Sequence, residues 1–264
     1  MHPFLNTAVK AARKAAELQT RASRNLANIK VENKGPKDFV TEVDKASEAA
    51  ICEVLLETYP HHAIVGEEGT NIGNKNAEFR WIIDPIDGTH NFMHGVPHWN
   101  ISIGCEQNGV VMHGLVYDPS ANNLFTASRG GGAFLNNKRL RVSAVRNASE
   151  ALVSTGMPFK DGAEFERYIG MLRDVMPAFS GIRRAGAAAL DLAYVAAGWY
   201  DCFWEMNLNS WDVAAGSLLV QEAGGLVTDI YGEENYMQNG HIVAGNPRMF
   251  AELLKLLTPH APQR

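Results

Sequence analysis

Acidic side chains follow apolar segments in distant parts of the chain, and together they suggest a site for a hard metal ion. Glu67 and Asp84 each come directly after a short apolar run, and Asp212 begins a predicted helix. A stiff strand holds the carboxylate that ends it, so several such carboxylates can converge, and they repel one another unless a cation joins them. Mg²⁺ prefers oxygen ligands of this kind. The pattern therefore favours a magnesium site.

The segment Asp84–Thr89 combines candidate metal ligands with a candidate anion site. Pro85 stiffens the turn, so that two carboxylates and a backbone carbonyl can point to the same place. Gly88 allows the backbone to approach a ligand closely, and Thr89 can begin a helix, whose free N–H groups favour a phosphate. An isolated Asp-Pro or Asp-Gly is usually only a turn, so the functional interpretation depends on the whole segment and on the acidic residues before and after it.

The composition narrows the class of protein. The chain has 264 residues, of which 46% are hydrophobic and 20% charged, as in an ordinary globular protein of one large domain or two joined ones. No apolar run approaches the roughly 20 residues of a membrane span, and residues 1–6 do not begin a secretory signal. The net charge of -5 argues against strong direct nucleic-acid binding. Three scattered cysteines favour reduced thiols, so we expect a cytoplasmic protein. The lack of a long apolar run predicts no membrane partner.

The elements that must position these residues form a mixed pattern. Apolar spacing predicts helices over residues 5–18, 44–59, 163–175, 187–197 and 212–223, and another from 247. Asn108-Gly109 predicts a hairpin between strands 100–106 and 110–117. Shorter strands are expected at 63–66, 79–83, 124–128, 151–155, 200–204, 226–229 and 241–244. This mixture predicts a layered α+β fold, and a change in composition near residue 150 suggests subdomains 1–150 and 151–264.

Four segments, in the same order, resemble the inositol monophosphatase family over nearly the full chain. They are Asp38–Asp44, Gly66–Glu68, Trp81–Phe92 and Trp211–Gly225. The opening Met1-His2-Pro3 and residues 188–198 resemble its bacterial, extragenic-suppressor branch. The resemblance implies a layered α-β-α-β-α sandwich of the inositol monophosphatase / fructose-bisphosphatase type. It also implies a homodimer that depends on Mg²⁺ and is inhibited by lithium.

Carried over by motif, the resemblance assigns metal ligands to this chain. Glu67, Asp84 and the Ile86 carbonyl would hold the first Mg²⁺ ion. Asp84, Asp87 and Asp212 would hold the second. Glu67 would also help to hold a weaker third ion and the attacking water. The first subdomain would thus carry most metal ligands, and the second would carry Asp212 and substrate contacts.

The resemblance also assigns catalytic and substrate-binding residues. Thr89 and Asp44 would form a dyad that orients or deprotonates the attacking water, and Lys34 would lie on a mobile loop near the metals. The backbone N–H groups of Gly88 and Thr89 would receive the phosphate. The substrate-binding set would comprise Glu67, Ile86, Asp87, Gly88, Thr89, Arg183, Gly186, Ala187, Ala188, Glu205 and Asp212.

Two positions depart from the family pattern. His90 stands where the family commonly has threonine, and Ala187 stands where threonine or serine is common. Neither departure removes a metal ligand, but Ala187 lacks a hydroxyl that could touch the substrate. His90, His94 and His98 are spaced by four, yet a glycine and a proline interrupt that helical pattern, which disfavours a shared zinc site.

Two classes of function remain open from the sequence. The first is hydrolysis of inositol monophosphate by a metal-activated water, or the same chemistry on histidinol phosphate, fructose 1,6-bisphosphate, NADP or a nucleotide bisphosphate. The absence of a convincing nucleophile motif is consistent with this chemistry. The second is an accessory role in RNA transcription or processing assemblies, which some bacterial members of the family have.

Overall fold

The computed structural model describes residues 2–35, 38–74, 76–158 and 162–262. Its helices are α1 (Pro3–Ser23), α2 (Glu42–Thr58), α3 (Thr89–Met93), α4 (Gly162–Val175), α5 (Ala188–Ala196), α6 (Ser210–Glu222), α7 (Tyr236–Asn239) and α8 (Pro247–Leu257). Its strands in the first half are β1 (Val31–Gly35), β2 (Asp38–Thr41), β3 (Ala63–Gly66), β4 (Asn71–Ile72), β5 (Phe79–Asp87), β6 (Asn100–Gln107), β7 (Val110–Asp118), β8 (Asn123–Ser128), β9 (Gly132–Leu135) and β10 (Lys138–Arg139). Those in the second half are β11 (Leu152–Thr155), β12 (Gly181–Arg183), β13 (Cys202–Glu205), β14 (Leu226–Thr228) and β15 (Ile242–Gly245).

Two sheets organise the fold. The larger sheet has the order β10-β9-β8-β7-β6-β5-β3-β4, and the smaller one has the order β12-β11-β13-β15-β14. The predicted hairpin is confirmed: β6 and β7 pair antiparallel, and Asn108 and Gly109 between them have φ of 50° and 81°. Such left-handed residues are those that a two-residue hairpin turn requires. Strands β3 and β5 are parallel, so their carboxyl ends meet at one edge of the larger sheet.

Three helical layers enclose these sheets and confirm the predicted α-β-α-β-α sandwich. Helices α1 and α2 pack on the outer face of the larger sheet, in a core that contains Leu55, Trp81 and Leu115. Helices α5 and α6 lie between the two sheets. Helices α4 and α8 cover the outer face of the smaller sheet. The apolar composition of α5 follows from its place, because a helix covered on all sides needs no polar face.

Several boundaries differ from the sequence expectation. Strand β5 continues through Asp87, where a turn was expected, and Lys34 and Gly35 end strand β1. Pro36, also expected in that loop, lies outside the described residues, as does the side chain of Lys34. Helices α5 and α6 come from the second half of the chain but pack on the larger sheet. A division at residue 150 stays a prediction.

None of the helices within the described ranges combines the length and the apolar character that a membrane crossing needs.

Candidate active site

A bulge in strand β5 sets the direction of two aspartates. Asp84 pairs with Ser102 and Asp87 pairs with Asn100, so that three steps along β5 match two steps along β6. The extra residue reverses the usual alternation of side chains and re-aims those beyond it. Asp84 and Asp87 therefore both line one cavity, of about 200 Å³.

The other two acidic residues reach this cavity from different elements. Glu67 directly follows β3, and its N–H donates to the Ile83 carbonyl at 3.1 Å, which places it beside the end of β5. Asp212 lies in the first turn of α6, where it accepts the Asn209 N–H at 2.6 Å. The residues lining the cavity are Phe39, Glu67, Asp84, Ile86, Asp87, Gly88, Thr89, His90 and Asp212. The predicted metal ligands are thus brought together.

The carboxylates in this cavity oppose each other's ionisation. Burial raises the pKa of Asp84 well above its usual range, and the charges of Glu67, Asp87 and Asp212 raise it further. Burial, followed by the charge of Asp87, raises the pKa of Asp212 to about 7. One oxygen of Asp84, Oδ1, is buried and has no hydrogen-bond partner among the residues that the structure describes. A positive charge among these groups would relieve the repulsion and satisfy that oxygen.

The donor chemistry fits a hard divalent cation. Among the described residues, no three His, Cys, Asp or Glu side chains already surround a common metal position. The Asp84 carboxyl group instead contacts the Glu67 and Asp212 carboxyl groups directly. All the converging groups nevertheless offer oxygen, as Mg²⁺ prefers. The fit to Mg²⁺ rests on the donor atoms, which are all oxygen. Small rotations of the carboxylates do not change their identity.

Thr89 and Asp44 form the contact that the resemblance implied. The Thr89 hydroxyl lies 2.9 Å from Asp44 Oδ1 and 3.0 Å from the Ile86 carbonyl oxygen. Asp44 belongs to the capping box of α2, where it also accepts the Thr41 N–H at 2.9 Å. Burial raises the pKa of Asp44, although its hydrogen bonds with Thr41 and Thr89 oppose this effect. The pair is therefore held at the edge of the carboxylate cluster by α2.

Asp87 also fastens helix α5 to the larger sheet. Its carboxylate accepts Asn100 Nδ2 at 2.7 Å, the Ala188 N–H at 3.1 Å and the Ala189 N–H at 2.8 Å. A carboxylate at a helix N-terminus is favoured by the free N–H groups there. The Ala188 N–H group, expected at the substrate, thus donates to Asp87.

The turn before α5 lies against the backbone of Gly88. A Cβ at Gly88 would stand 3.2 Å from the Ala187 Cβ and 3.3 Å from the Gly186 carbonyl oxygen. Asn91 Nδ2 supports this turn by donating to the Ala185 carbonyl at 2.8 Å. Gly186 and Ala187, both expected to contact the substrate, are therefore adjacent to Gly88, whose N–H was predicted to receive the phosphate.

The arginine near this turn is Arg184. Its Nη1 would be 2.7 Å from a Cβ at Gly186. Burial raises the pKa of Glu205 well above its usual range, the charges of Asp191, Asp212 and Asp87 raise it further, and Arg184 acts in the opposite direction. Arg183 is exposed, and its Nη1 donates to the Ile182 carbonyl at 3.1 Å. Arg183, the last residue of β12, stays a prediction, whereas Arg184 was missed because it follows that strand and its charge meets Glu205 only in the tertiary structure.

Asp191 and His98 form a second polar pair that the sequence reasoning missed. Burial raises the pKa of Asp191 to about 6, and His98 Nε2 lies 3.7 Å from its Oδ1. The available signal was a charged residue inside the apolar run of α5. His90 instead lines the cavity and packs beside Phe39, with ring centroids 5.2 Å apart.

Comparisons with known proteins bear on the family and the fold of this chain. The model of the inositol monophosphatase family matches residues 1–261. The chain is 52% identical to the Nus factor SuhB of Pseudomonas aeruginosa, over 99% of this chain and 98% of that one. The fold is similar to the crystal structure of the extragenic suppressor protein SuhB from Bartonella henselae, with a TM-score of 0.94 and 43% sequence identity. The match covers 97% of this chain and 98% of that one. The structure of an IMPase from Thermotoga maritima is also similar, with a TM-score of 0.89 and 35% sequence identity, and the match covers 98% of each chain.

Proposed function

Because the chain belongs to the inositol monophosphatase family, we propose that it is a Mg²⁺-dependent phosphatase that hydrolyses a small polyol phosphate. One observation carries the proposal: the carboxylates of Glu67, Asp87 and Asp212 converge on the buried carboxylate of Asp84, beside the hydrogen-bonded pair Thr89 and Asp44. Carboxylates raised in pKa by one another suit cation binding, and the neighbouring hydroxyl suits the positioning of a water.

The predicted ligands divide into two sets around Asp84. Glu67, Asp84 and the Ile86 carbonyl would hold one ion, Asp84, Asp87 and Asp212 would hold another, and Glu67 would contribute to a weaker third. When bound, Mg²⁺ supplies positive charge that stabilises both the attacking and the leaving oxygen of phosphoryl transfer.

The protein groups then act mainly by position. The Thr89 hydroxyl donates a hydrogen bond to Asp44. The Thr89 oxygen can therefore accept a hydrogen bond from the attacking water and orient that water toward phosphorus. The N–H groups of Gly88 and Thr89 would receive the phosphate oxygens. No side chain needs to form a covalent bond to phosphorus, so a direct attack by water is sufficient.

The alcohol part of the substrate would meet carboxylates and an arginine. Asp87, Asp212 and Glu205 can accept hydrogen bonds from hydroxyls, while Arg184, whose charge acts on Glu205, can donate to them. Such an array suits a polyol with several neighbouring hydroxyls, and inositol monophosphate is our first candidate. The SaIMPase-II structures contain inositol monophosphate in one case and 2'AMP in another, and that protein is 27–28% identical to this chain.

A phosphate-release screen tests the reaction and the substrate together. The panel contains inositol monophosphate, histidinol phosphate, fructose 1,6-bisphosphate, NADP and a nucleotide bisphosphate, each with and without Mg²⁺. We expect the fastest release from inositol monophosphate, only with Mg²⁺, and inhibition by lithium in the millimolar range. Faster turnover of another compound would make that compound, and not inositol monophosphate, the candidate substrate. If none of the compounds releases phosphate in a Mg²⁺-dependent way, the proposed function is contradicted.

The names of the similar proteins support a second candidate function. Proteins 46–52% identical to this chain are named Nus factor SuhB, so we also propose that the chain joins a transcription or RNA-processing assembly in the cytoplasm. Co-purification of transcription proteins with a tagged chain from a native lysate tests this role. An Asp87→Asn variant should capture the same partners if the role is independent of catalysis, and capture of none by either form would contradict it.

We further propose a homodimer, as in the family. Light scattering during gel filtration should give twice the 28.9 kDa of one chain. A mass of one chain at micromolar concentration would contradict the dimer and leave the catalytic proposal unaffected.

A further inference from the structure

Glu48 is a buried acidic residue next to, but not part of, the carboxylate cluster. It lies on α2 one helical turn after Asp44 and is 3% exposed. Its Oε2 accepts the Glu68 N–H at 2.9 Å, and its Oε1 accepts the Thr70 N–H at 3.2 Å. Both oxygens therefore bind the backbone of the turn that follows β3.

This turn carries Glu67. The Gly66 N–H donates to the Thr70 carbonyl at 2.8 Å, which closes the turn around Glu67 and Glu68. The Glu48 carboxylate lies directly on its backbone, because a Cβ at Gly66 would stand only 2.2 Å from Glu48 Oε2. Glycine at 66 thus leaves the space that the carboxylate occupies.

We propose that Glu48 is a positioning residue that fixes Glu67 beside Asp84, an inference that rests on the proposed function. The charges of the cluster repel the Glu67 side chain, and a short turn without a fixed support can yield to that repulsion. Hydrogen bonds from N–H groups to a carboxylate are among the stronger ones in proteins. Glu48 therefore resists the displacement of Glu67.

The position of Glu48 on α2 gives the support a second consequence. Residues four apart on a helix lie on the same face, and Asp44 on that face holds Thr89 at 2.9 Å. One rigid helix thus holds the candidate metal ligand Glu67 through Glu48 and the candidate water-orienting Thr89 through Asp44. Helix α2 accordingly constrains the distance between Glu67 and Thr89.

A Glu48→Gln variant tests this role. The amide keeps the size of the side chain, but its NH₂ group would face a backbone N–H, so one of the two hydrogen bonds is lost. We expect Mg²⁺ binding, measured by calorimetry without substrate, to weaken about tenfold or more, the range found when groups that orient metal ligands are removed. The Mg²⁺ concentration for half-maximal phosphate release should rise in parallel, while KM for substrate at saturating Mg²⁺ changes less than about threefold.

Asp229→Asn is the matched control. Asp229 is likewise a buried carboxylate that accepts two backbone N–H groups of a turn, those of Tyr231 at 2.9 Å and Glu233 at 2.8 Å, but this turn follows β14 of the smaller sheet. We expect it to lower Tm without changing Mg²⁺ binding. If Glu48→Gln also changes only Tm, the role of Glu48 is purely structural and the proposal is wrong. If the wild type binds Mg²⁺ but releases no phosphate, the proposed function fails and calorimetry still decides the role of Glu48.

A double-mutant cycle with Gly66→Ala adds an independent test. In the wild type the new methyl group must displace the Glu48 carboxylate, so Mg²⁺ binding should weaken about as much as in Glu48→Gln. In a Glu48→Ala background the same methyl group meets no carboxylate and should weaken binding less than about twofold further. Losses that add fully would show that Gly66 and Glu48 act separately, which would overturn the proposal.

Discussion

The two sides of the candidate site are built differently. The metal side (Glu67, Asp84, Asp87 and Thr89) comes from the larger sheet and the segment after β5. Hydrogen bonds hold the Glu67 backbone, the Asp87 carboxylate and the Thr89 hydroxyl in place. The alcohol side (Arg184, Gly186, Ala187 and Glu205) comes from the turn before α5 and from β13. The long side chain of Arg184 is exposed. In the proposed phosphatase, a fixed metal side and a more adjustable alcohol side would let one reaction serve different substrates.

The physical cause of this difference is the distribution of burial. On the metal side several like charges are buried together, so each needs partners that hold it in place, as the Ala188 and Ala189 N–H groups and Asn100 do for Asp87. On the alcohol side, the half-buried carboxylate of Glu205 has the opposing charge of Arg184 nearby. Substitutions on the two sides should therefore change different kinetic constants.

Asp87→Asn on the metal side should have the largest effect. We expect kcat to fall on the order of 10³-fold or more, because the substitution removes a charge from the proposed metal site, where electrostatic stabilisation of the transition state dominates. Phosphate release and the circular dichroism spectrum measure activity and fold. Asp118→Asn is the control, since Asp118 is a buried aspartate that accepts the N–H groups of Ser120 and Ala121 in a remote turn. Equal turnover by wild type and Asp87→Asn would refute the site assignment.

Thr89→Val should have the second largest effect. Valine keeps the shape of threonine but has no hydroxyl, so Asp44 can no longer act on a water through it. We expect kcat to fall about 100-fold, within the range for lost acid–base or water-orienting groups, with KM changed less than threefold. Thr89→Ser restores the hydroxyl and should recover most of kcat. Equal losses in both variants would show that the methyl group, and not the hydroxyl, is what matters.

Arg184→Gln on the alcohol side should change KM more than kcat. Removing the charge near Glu205 should raise KM for inositol monophosphate about tenfold, equivalent to about 1.4 kcal/mol of lost substrate binding. Arg183→Gln should change KM less than twofold because its guanidinium bonds its own strand at the Ile182 carbonyl. Steady-state kinetics of the two variants decide between these arginines. A larger effect at Arg183 would restore the assignment made from the sequence.

The same contrast explains what could be predicted from the sequence. On the metal side the candidate ligands end apolar segments or lie within a short motif, so local patterns predicted them. The contact between Thr89 and Asp44 followed from the family motifs. The bulge at Pro85–Ile86 could not be predicted, because it exists only in the pairing of β5 with β6. On the alcohol side, the choice between two adjacent arginines depends on the orientation of β12 beside β11, which only the tertiary structure defines.

Long-range contacts were likewise invisible in the sequence. Glu48 looked like an ordinary helical residue, and its partners lie 20 and 22 residues away in the turn after β3. Gln19 on α1 similarly donates to the Pro85 carbonyl at 2.8 Å, across 66 residues. Residues that hold the site in place thus carry no local signature, whereas residues that carry the chemistry do.

Ala187→Ser should have the smallest effect and the most informative direction. Ala187 is buried in the turn against Gly88, and serine restores a hydroxyl that the family commonly has there. One added hydrogen bond to a substrate hydroxyl is worth about 0.5–1.5 kcal/mol, so we expect KM for inositol monophosphate to fall about threefold at unchanged kcat. Para-nitrophenyl phosphate, which has no hydroxyl to bond, should show no change. An equal change for both substrates would mean that the hydroxyl acts on the phosphate or on the turn itself, and the alcohol side would then have to be placed elsewhere.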